Sequence, residues 1–122
     1  MTGTKDDQEK TRLDLIPGEA LEMIGQAFTH GASKYDDHNW RGGIKYSRLY
    51  GATLRHLFAY WGGGETDKDS GLSHLSLAGA ELCMLMAMDK EYDDRYSSNF
   101  TINKDLIKDE WEAFWQVDII IK

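Results

Sequence analysis

The sequence predicts an all-α fold, a helical bundle of about four helices. Three observations carry that expectation. Apolar residues recur at helical spacing after Pro17, a second such run opens near Ser47 and stops at Gly62-Gly63-Gly64, and a third extends from Leu72 to Tyr92. No internal repeat, linker or low-complexity tract interrupts the 122 residues, so one core and one domain over 1–122 are expected.

Pro17 fits the first turn of a helix, because its fixed φ is already helical and its missing N–H would have no partner there. Ala20, Leu21, Ile24, Ala27 and Phe28 then mark one face, with Glu19 and Glu22 on the polar side, which predicts a first helix over about 18–29. Residues 31–46 contain Gly31, Gly42 and Gly43 without a sustained period and read as a loop with room for a short helical turn. Tyr35 and Trp40 within it disfavour disorder and favour a functional loop.

Ser47 is the expected N-cap of the second helix, whose face holds Leu49, Tyr50, Ala52, Thr53, Leu57, Tyr60 and Trp61. An acidic connector from Glu65 to Gly71 leads to the third helix, where Ala78-Gly79-Ala80 would let a neighbouring helix approach closely. In the tail, 97–103 reads as polar loop, 106–115 has helical periodicity, and 117–121 suits a short strand or an extended docking segment.

The apolar share of 41% with 29% charged residues is that of a globular protein. No apolar run approaches the ~20 residues of a membrane span, so no membrane partner is expected. Residues 1–10 are too polar for a signal peptide, and a cytoplasmic location follows as the expectation. The single cysteine, Cys83, lies between Leu82 and Met84; it reads as a packed helix residue and excludes a cysteine-based zinc ribbon or finger. The formal charge of −7 argues against DNA or RNA as ligand, since backbone binding draws on clustered Lys and Arg. A polyphosphate ligand would need a cation between it and these carboxylates.

The densest set of candidate metal ligands is His56, Glu65, Asp67, Asp69, His74 and Glu81. An antiparallel helix hairpin brings both sides of the connector together, and hard carboxylate oxygens suit magnesium or manganese. His74 and Glu81, seven residues apart, share one helix face. Lys34, Arg41, Arg48 and Arg55 are the natural phosphate contacts, while Tyr35 or Trp40 offers a stacking surface for a base. Each residue alone has a plainer reading: a solvated turn for the connector, a helix-start or core histidine for His74, surface charge for the basic residues, core packing for Trp40. Glu81, amid Ala78, Ala80, Leu82 and Leu85, either faces solvent or is held by a cation.

Several machines are excluded. Gly62-Gly63-Gly64 lacks the Lys-Ser or Lys-Thr of a P-loop, and no serine nucleophile elbow is present. None of the four histidines precedes an aspartate, which weighs against HD-type phosphohydrolases.

Five motifs in one order carry a family resemblance: Arg12-Leu13-Asp14-Leu15-Ile16-Pro17, Gly31-Ala32-Ser33-Lys34-Tyr35, Asn39-Trp40, Leu54-Arg55-His56-Leu57, and Asp67-Lys68-Asp69-Ser70-Gly71-Leu72-Ser73-His74-Leu75. Over about 10–88 the chain resembles the phage dATP/dGTP diphosphohydrolases, MazZ-type enzymes related to MazG. The resemblance implies a MazG-like all-α pyrophosphohydrolase. Such an enzyme converts dGTP, with dATP a further candidate substrate, to the monophosphate and pyrophosphate with divalent metal, Mg²⁺ or Mn²⁺. In phages that replace adenine by 2-aminoadenine, the dGMP feeds synthesis of the modified nucleotide. A homodimer or homotetramer is also implied. The chain departs from the pattern at Leu77, where a second histidine is common, at Glu81, often Asn, and at Asp69, more usually Glu.

On this resemblance, two or three metal ions held by Glu65, Asp67, Asp69, His74 and Glu81 bridge a purine deoxynucleoside triphosphate and activate water for attack at the α-phosphorus. His56 or a connector carboxylate, with Asp69 the candidate, positions that water. Lys34, Arg48 and Arg55 hold phosphates, and Tyr35, Asn39 and Trp40 hold the base. Two alternatives stand beside it: a broad dNTP pool-sanitising enzyme, and a non-catalytic helical adaptor whose aromatic tail docks a partner.

Overall fold

The computed structural model describes residues 2–6 and 8–95. Among the described residues the fold has three α-helices, α1 (Gly18–Tyr35), α2 (Tyr46–Trp61) and α3 (His74–Ala87), with 3-10 turns at Leu13–Leu15, Asn39–Gly42 and Lys90–Tyr92. The fourth helix expected at 106–115, and the docking segment at 117–121, lie outside the described residues. Within the described residues the fold is all-helical; one isolated antiparallel bridge, Thr66 to Ser73, is the exception to helix and turn.

Pro17 stands immediately before α1, as its geometry dictates, but the helix runs one and a half turns beyond the expected end at Thr29. Gly31 does not stop it: a glycine inside a helix costs only about 1 kcal/mol, less than the remaining turns return. Thr29 Oγ1 and Ser33 Oγ donate back to the carbonyls of Gly25 and His30, which keeps these hydroxyls inside the helix's own bonding. The Gly31–Tyr35 motif is therefore the last turn of α1. Asp36, at φ 85° and ψ 158°, ends it. Such backbone is unfavourable for any residue with a Cβ.

α2 starts one residue before the expected cap. Ser47 lies inside the helix, its backbone N–H donating to Asp94 Oδ1 at 2.9 Å and its hydroxyl to Asp94 Oδ2. The free N–H at the helix start is thus satisfied by a carboxylate distant in sequence, a favourable position for negative charge. α3 begins at His74, with Ser73 Oγ accepting from Leu75 N at 3.1 Å. It ends at Ala87 and not at Tyr92, because Met88 turns extended and buries its side chain. The Met88 carbonyl accepts a bond of 3.0 Å from Tyr46 Oη.

Among the described residues the buried apolar ones are Ala27, Leu49, Ala78, Ala80 and Met88, joined by Thr53 and Ser76. Small residues on α3 let the helices close on each other: a Cβ on Gly79 would come within 2.8 Å of Ile24 Cγ1 on α1. Ala78-Gly79-Ala80 therefore does what its sequence suggested. Cys83 is a free, partly buried thiol on the same helix.

On α2 only part of the expected apolar face is covered. Leu49 and Thr53 are buried, whereas Tyr50, Leu57, Tyr60 and Trp61 stay exposed in the single chain, Trp61 at 89%. Successive helical residues turn by about 100°, so Tyr50, Leu57 and Trp61 fall on a stripe beside the Leu49–Thr53 row instead of on it. A comparable stripe on α3 carries Leu75, Leu82 and Met86. Among the described residues, no helix is long and apolar enough to cross a membrane.

Candidate metal and nucleotide site

The connector between α2 and α3 closes on itself before it delivers any side chain. Asp67 N donates to Leu72 O, Gly71 N to Asp67 O and His74 N to Glu65 O, at 2.7, 2.7 and 3.0 Å. Gly71, at φ 74°, takes the left-handed position such a turn requires. Asp67 Oδ2 accepts from the backbone N–H and hydroxyl of Ser70, the local bonding for which Asp is favoured in turns. These bonds, the Ser70 backbone first, hold the Asp67 carboxyl below its usual range.

Asp67 and His74 are thereby brought against His56 on α2, with one ligand atom from each lying within 4.8 Å of the others. The two imidazoles meet through their Nδ1 atoms at 2.8 Å, where one nitrogen donates and the other accepts. The far side of His56 faces α3: its Nε2 is 3.4 Å from Glu81 Oε1. Glu81 Oε2 in turn accepts from Thr53 Oγ1 at 3.3 Å. Burial pushes the Glu81 carboxyl up to about 7, against the opposing pull of Thr53 and Arg55. Burial also pulls His56 down, helped by the neighbouring His74. Both groups are thus shifted toward their neutral forms, which weakens the charge–charge attraction across this 3.4 Å contact.

Of the two alternatives posed by its sequence context, the solvent-facing one does not hold for Glu81. It is largely buried, its side chain 16% exposed, and it is satisfied by a threonine hydroxyl and a histidine. Thr53 is the residue that sequence reasoning placed on the helix face without a role. The available signal was a hydroxyl on the apolar helix face, four residues after Leu49 and one turn before His56; buried there at 4% exposure it must bond something, and it bonds Leu49 O and Glu81.

The remaining candidates lie around this cluster. Asp69 turns to the surface and pairs with Lys34 Nζ at 3.2 Å, which links the end of α1 to the connector. Glu65 is exposed and contributes its backbone carbonyl to the turn. Arg55 is exposed on α2, near enough to act electrostatically on both His56 and Glu81. Arg48 is exposed nearer the start of α2. Tyr35 is 57% exposed, with Lys34 Nζ 5.5 Å from its ring. Asn39 and Trp40 sit in the 3-10 turn after α1, where Trp40 packs at 6.2 Å on Phe28 and carries Arg41 over its ring at 4.4 Å. His56, Asp67, His74 and Glu81 thus converge, whereas Glu65 and Asp69 stand outside that cluster.

The model of the dATP/dGTP diphosphohydrolase N-terminal family matches residues 1–95. The chain belongs to this family. All three helices of the dATP/dGTP diphosphohydrolase N-terminal domain, and every residue of the cluster, fall inside the matched region. A dATP/dGTP diphosphohydrolase of Salmonella phage PMBT28 is 34% identical over 85 residues, which is 70% of this chain. The matched stretch is only 29% of that phage protein, so the chain corresponds to less than a third of its relative's length. No solved structure matches the chain.

The donor set accommodates a divalent metal. Two imidazole nitrogens and a carboxylate oxygen, all within 4.8 Å of one another, are donor types that hold a divalent ion through bonds of roughly 2.0–2.2 Å. Glu81 behind His56 supplies the outer carboxylate that commonly orients a ligating histidine.

Proposed function

We propose that the chain takes part in metal-dependent hydrolysis of a purine deoxynucleoside triphosphate, dGTP with dATP as second substrate, to the monophosphate and pyrophosphate. Family membership supports the nucleotide. The observation that carries the reading to a site is the convergence of His56, Asp67 and His74. A bound divalent ion would neutralise phosphate charge and acidify water; Mn²⁺ suits these imidazole donors, whereas Mg²⁺ would draw on the carboxylates alone. His56 would be a ligand of that ion, with Glu81 behind it to orient the ring. Arg55 lies on the same helix as His56 for a phosphate contact, and Lys34 exchanges Asp69 for one. Tyr35, Asn39 and Trp40, in and after the last turn of α1, receive the base. The dGMP formed would supply 2-aminoadenine nucleotide synthesis.

The test is incubation of the pure protein with each dNTP and Mg²⁺ or Mn²⁺, with products separated by chromatography. Monophosphate and pyrophosphate from the purine nucleotides are expected. Equal turnover of all four dNTPs would mean a pool-sanitising enzyme, and orthophosphate as product would remove the proposed chemistry.

One observation favours a second reading. The relative's printed activity belongs to a protein more than three times the matched length, so the chain in this reading is a helical module that binds nucleotide or a catalytic partner without turning over alone. It predicts nucleotide binding without product.

The exposed stripes support a homodimer or homotetramer, because Tyr50, Leu57 and Trp61 with Leu75, Leu82 and Met86 are more apolar surface than a small monomer usually shows in continuous rows. Trp61→Glu is expected to shift the sedimentation coefficient to that of a monomer while the helical circular dichroism stays; an unchanged coefficient would move the interface elsewhere.

A further inference from the structure

We propose that His56, Asp67 and His74 form a mononuclear site for a first-row transition-metal ion that discriminates against Mg²⁺. The proposal concerns the cluster on which the proposed function rests, and it differs from a magnesium site built on the acidic connector. The chemistry of the donors decides it. Mg²⁺ takes oxygen ligands and gives up water reluctantly, whereas two neutral imidazoles and one carboxylate match the ligand preference of Co²⁺, Zn²⁺, Ni²⁺ or Mn²⁺. Of the other connector carboxylates, Asp69 is paired with Lys34 and Glu65 is exposed outside the cluster; Glu81 lies behind His56 on the side away from His74.

The three ligands come from fixed elements. His56 lies within α2, His74 is the first residue of α3, and Asp67 belongs to the turn closed by the Thr66–Ser73 bridge. Ser70 occupies Asp67 Oδ2, which leaves Oδ1 as the free acceptor. Binding an ion through His56 Nδ1 requires the ring proton on Nε2, the nitrogen that lies 3.4 Å from Glu81 Oε1. The Nδ1 atoms now share a proton at 2.8 Å. An ion in its place needs the nitrogens to part to about 3.3 Å for tetrahedral bonds of 2.0–2.1 Å, and needs the His74 proton to sit on Nε2. No proton is lost overall.

The test is titration of the metal-stripped full chain with Co²⁺, read by its visible d–d absorption, followed by competition with Zn²⁺, Mn²⁺ or millimolar Mg²⁺. We expect one equivalent of Co²⁺, displacement by Zn²⁺ and none by Mg²⁺. His74→Ala and Asp67→Asn are each expected to weaken Co²⁺ binding by at least about 100-fold, while Glu65→Gln and Asp69→Asn leave it within about twofold. Circular dichroism of each variant checks the fold; Asp67→Asn, on a surface turn, keeps the test decisive if a histidine variant unfolds. No cobalt band, equal displacement by Mg²⁺, or loss with Glu65→Gln or Asp69→Asn in place of the histidine variants would overturn the site. Cobalt binding without turnover of any dNTP leaves the metal site and removes the hydrolase reading, whereas Mg²⁺-driven turnover without cobalt binding does the reverse.

Discussion

Gly43→Ala is expected to lower the unfolding free energy by about 3 kcal/mol, measured by urea denaturation of the intact chain. Two costs combine. Gly43 sits at φ 117°, where a residue with a Cβ is strained by roughly 1–3 kcal/mol. The added methyl would also fall within the Tyr92 ring, against Cζ, Cε1 and Oη, so the ring must leave. With it goes the bond of 3.0 Å from Tyr92 Oη to Gly42 O, worth about 1 kcal/mol net. Tyr92→Phe separates the contributions, since it removes only the hydroxyl and should cost about 1 kcal/mol. Equal midpoints for Gly43→Ala and the unaltered chain would show that the turn relaxes freely and that the tyrosine is not packed there in solution.

Glu81→Gln is expected to change the pH dependence of stability more than any other single carboxyl substitution. The folded pKa of Glu81 is about 7 against an ordinary value of 4.5. Between those two values the native chain holds the proton that the unfolded chain has released, so stability falls as pH rises through this window. Below 4.5 both states are protonated and above about 7 both are ionised, and in neither range does Glu81 add a slope. At 1.36 kcal/mol per unit the total loss is on the order of 3 kcal/mol. His56, lowered by burial, acts in the opposite direction below its ordinary value of 6.5, since the unfolded chain there takes up the proton first. The informative quantity is therefore the difference between the two proteins with chelator present. Gln keeps an acceptor for Thr53, so the variant should match the parent near pH 4.5 and exceed its stability by a few kcal/mol near pH 8. Parallel curves would refute the elevated pKa. Asp67, Asp93 and Asp94 are lowered from 3.8, and the stability they lend is lost only in more acidic solution, outside this window.

The helical class and the order of the elements were legible because Pro17, the Gly62-Gly63-Gly64 stop and the 3.6-residue apolar recurrence are local signals. The ends of the helices were less so, for reasons that are not local. α1 continues through Gly31 because its cost is small, and α3 stops at Ala87 because Met88 turns extended to bury its side chain, its carbonyl accepting from Tyr46 far along the chain. Ser47 read as a cap from its type alone, yet the capping carboxylate is Asp94.

At the site, the hairpin logic correctly put His56 near His74, since two helices joined by a turn that closes on itself must face each other. Spacing gave no means of sorting the carboxylates. Asp67 and Asp69 are two residues apart, and only the Ser70 bonds, together with the Lys34 ion pair, turn one inward and the other out. Glu81 was conspicuous for its apolar neighbours, but the identity of its partner depended on the register between α2 and α3, which sets Thr53 and His56 opposite it.

The fastening of residues 88–94 onto the start of α2 has a kinetic consequence. The bonds Tyr46–Met88, Ser47–Asp94 and Gly42–Tyr92 join positions 42, 47 and 50 residues apart, whereas α2 and α3 are joined by a short connector. Closing long loops is entropically slow, so the α2–α3 hairpin belongs to an early, local phase of folding and the fastening to a late one. Substitutions at Gly43, Tyr92 or Asp94 should then steepen the rate of unfolding and leave the rate of folding almost unchanged, so that the lifetime of the native chain, more than the speed of its formation, is governed from this one corner.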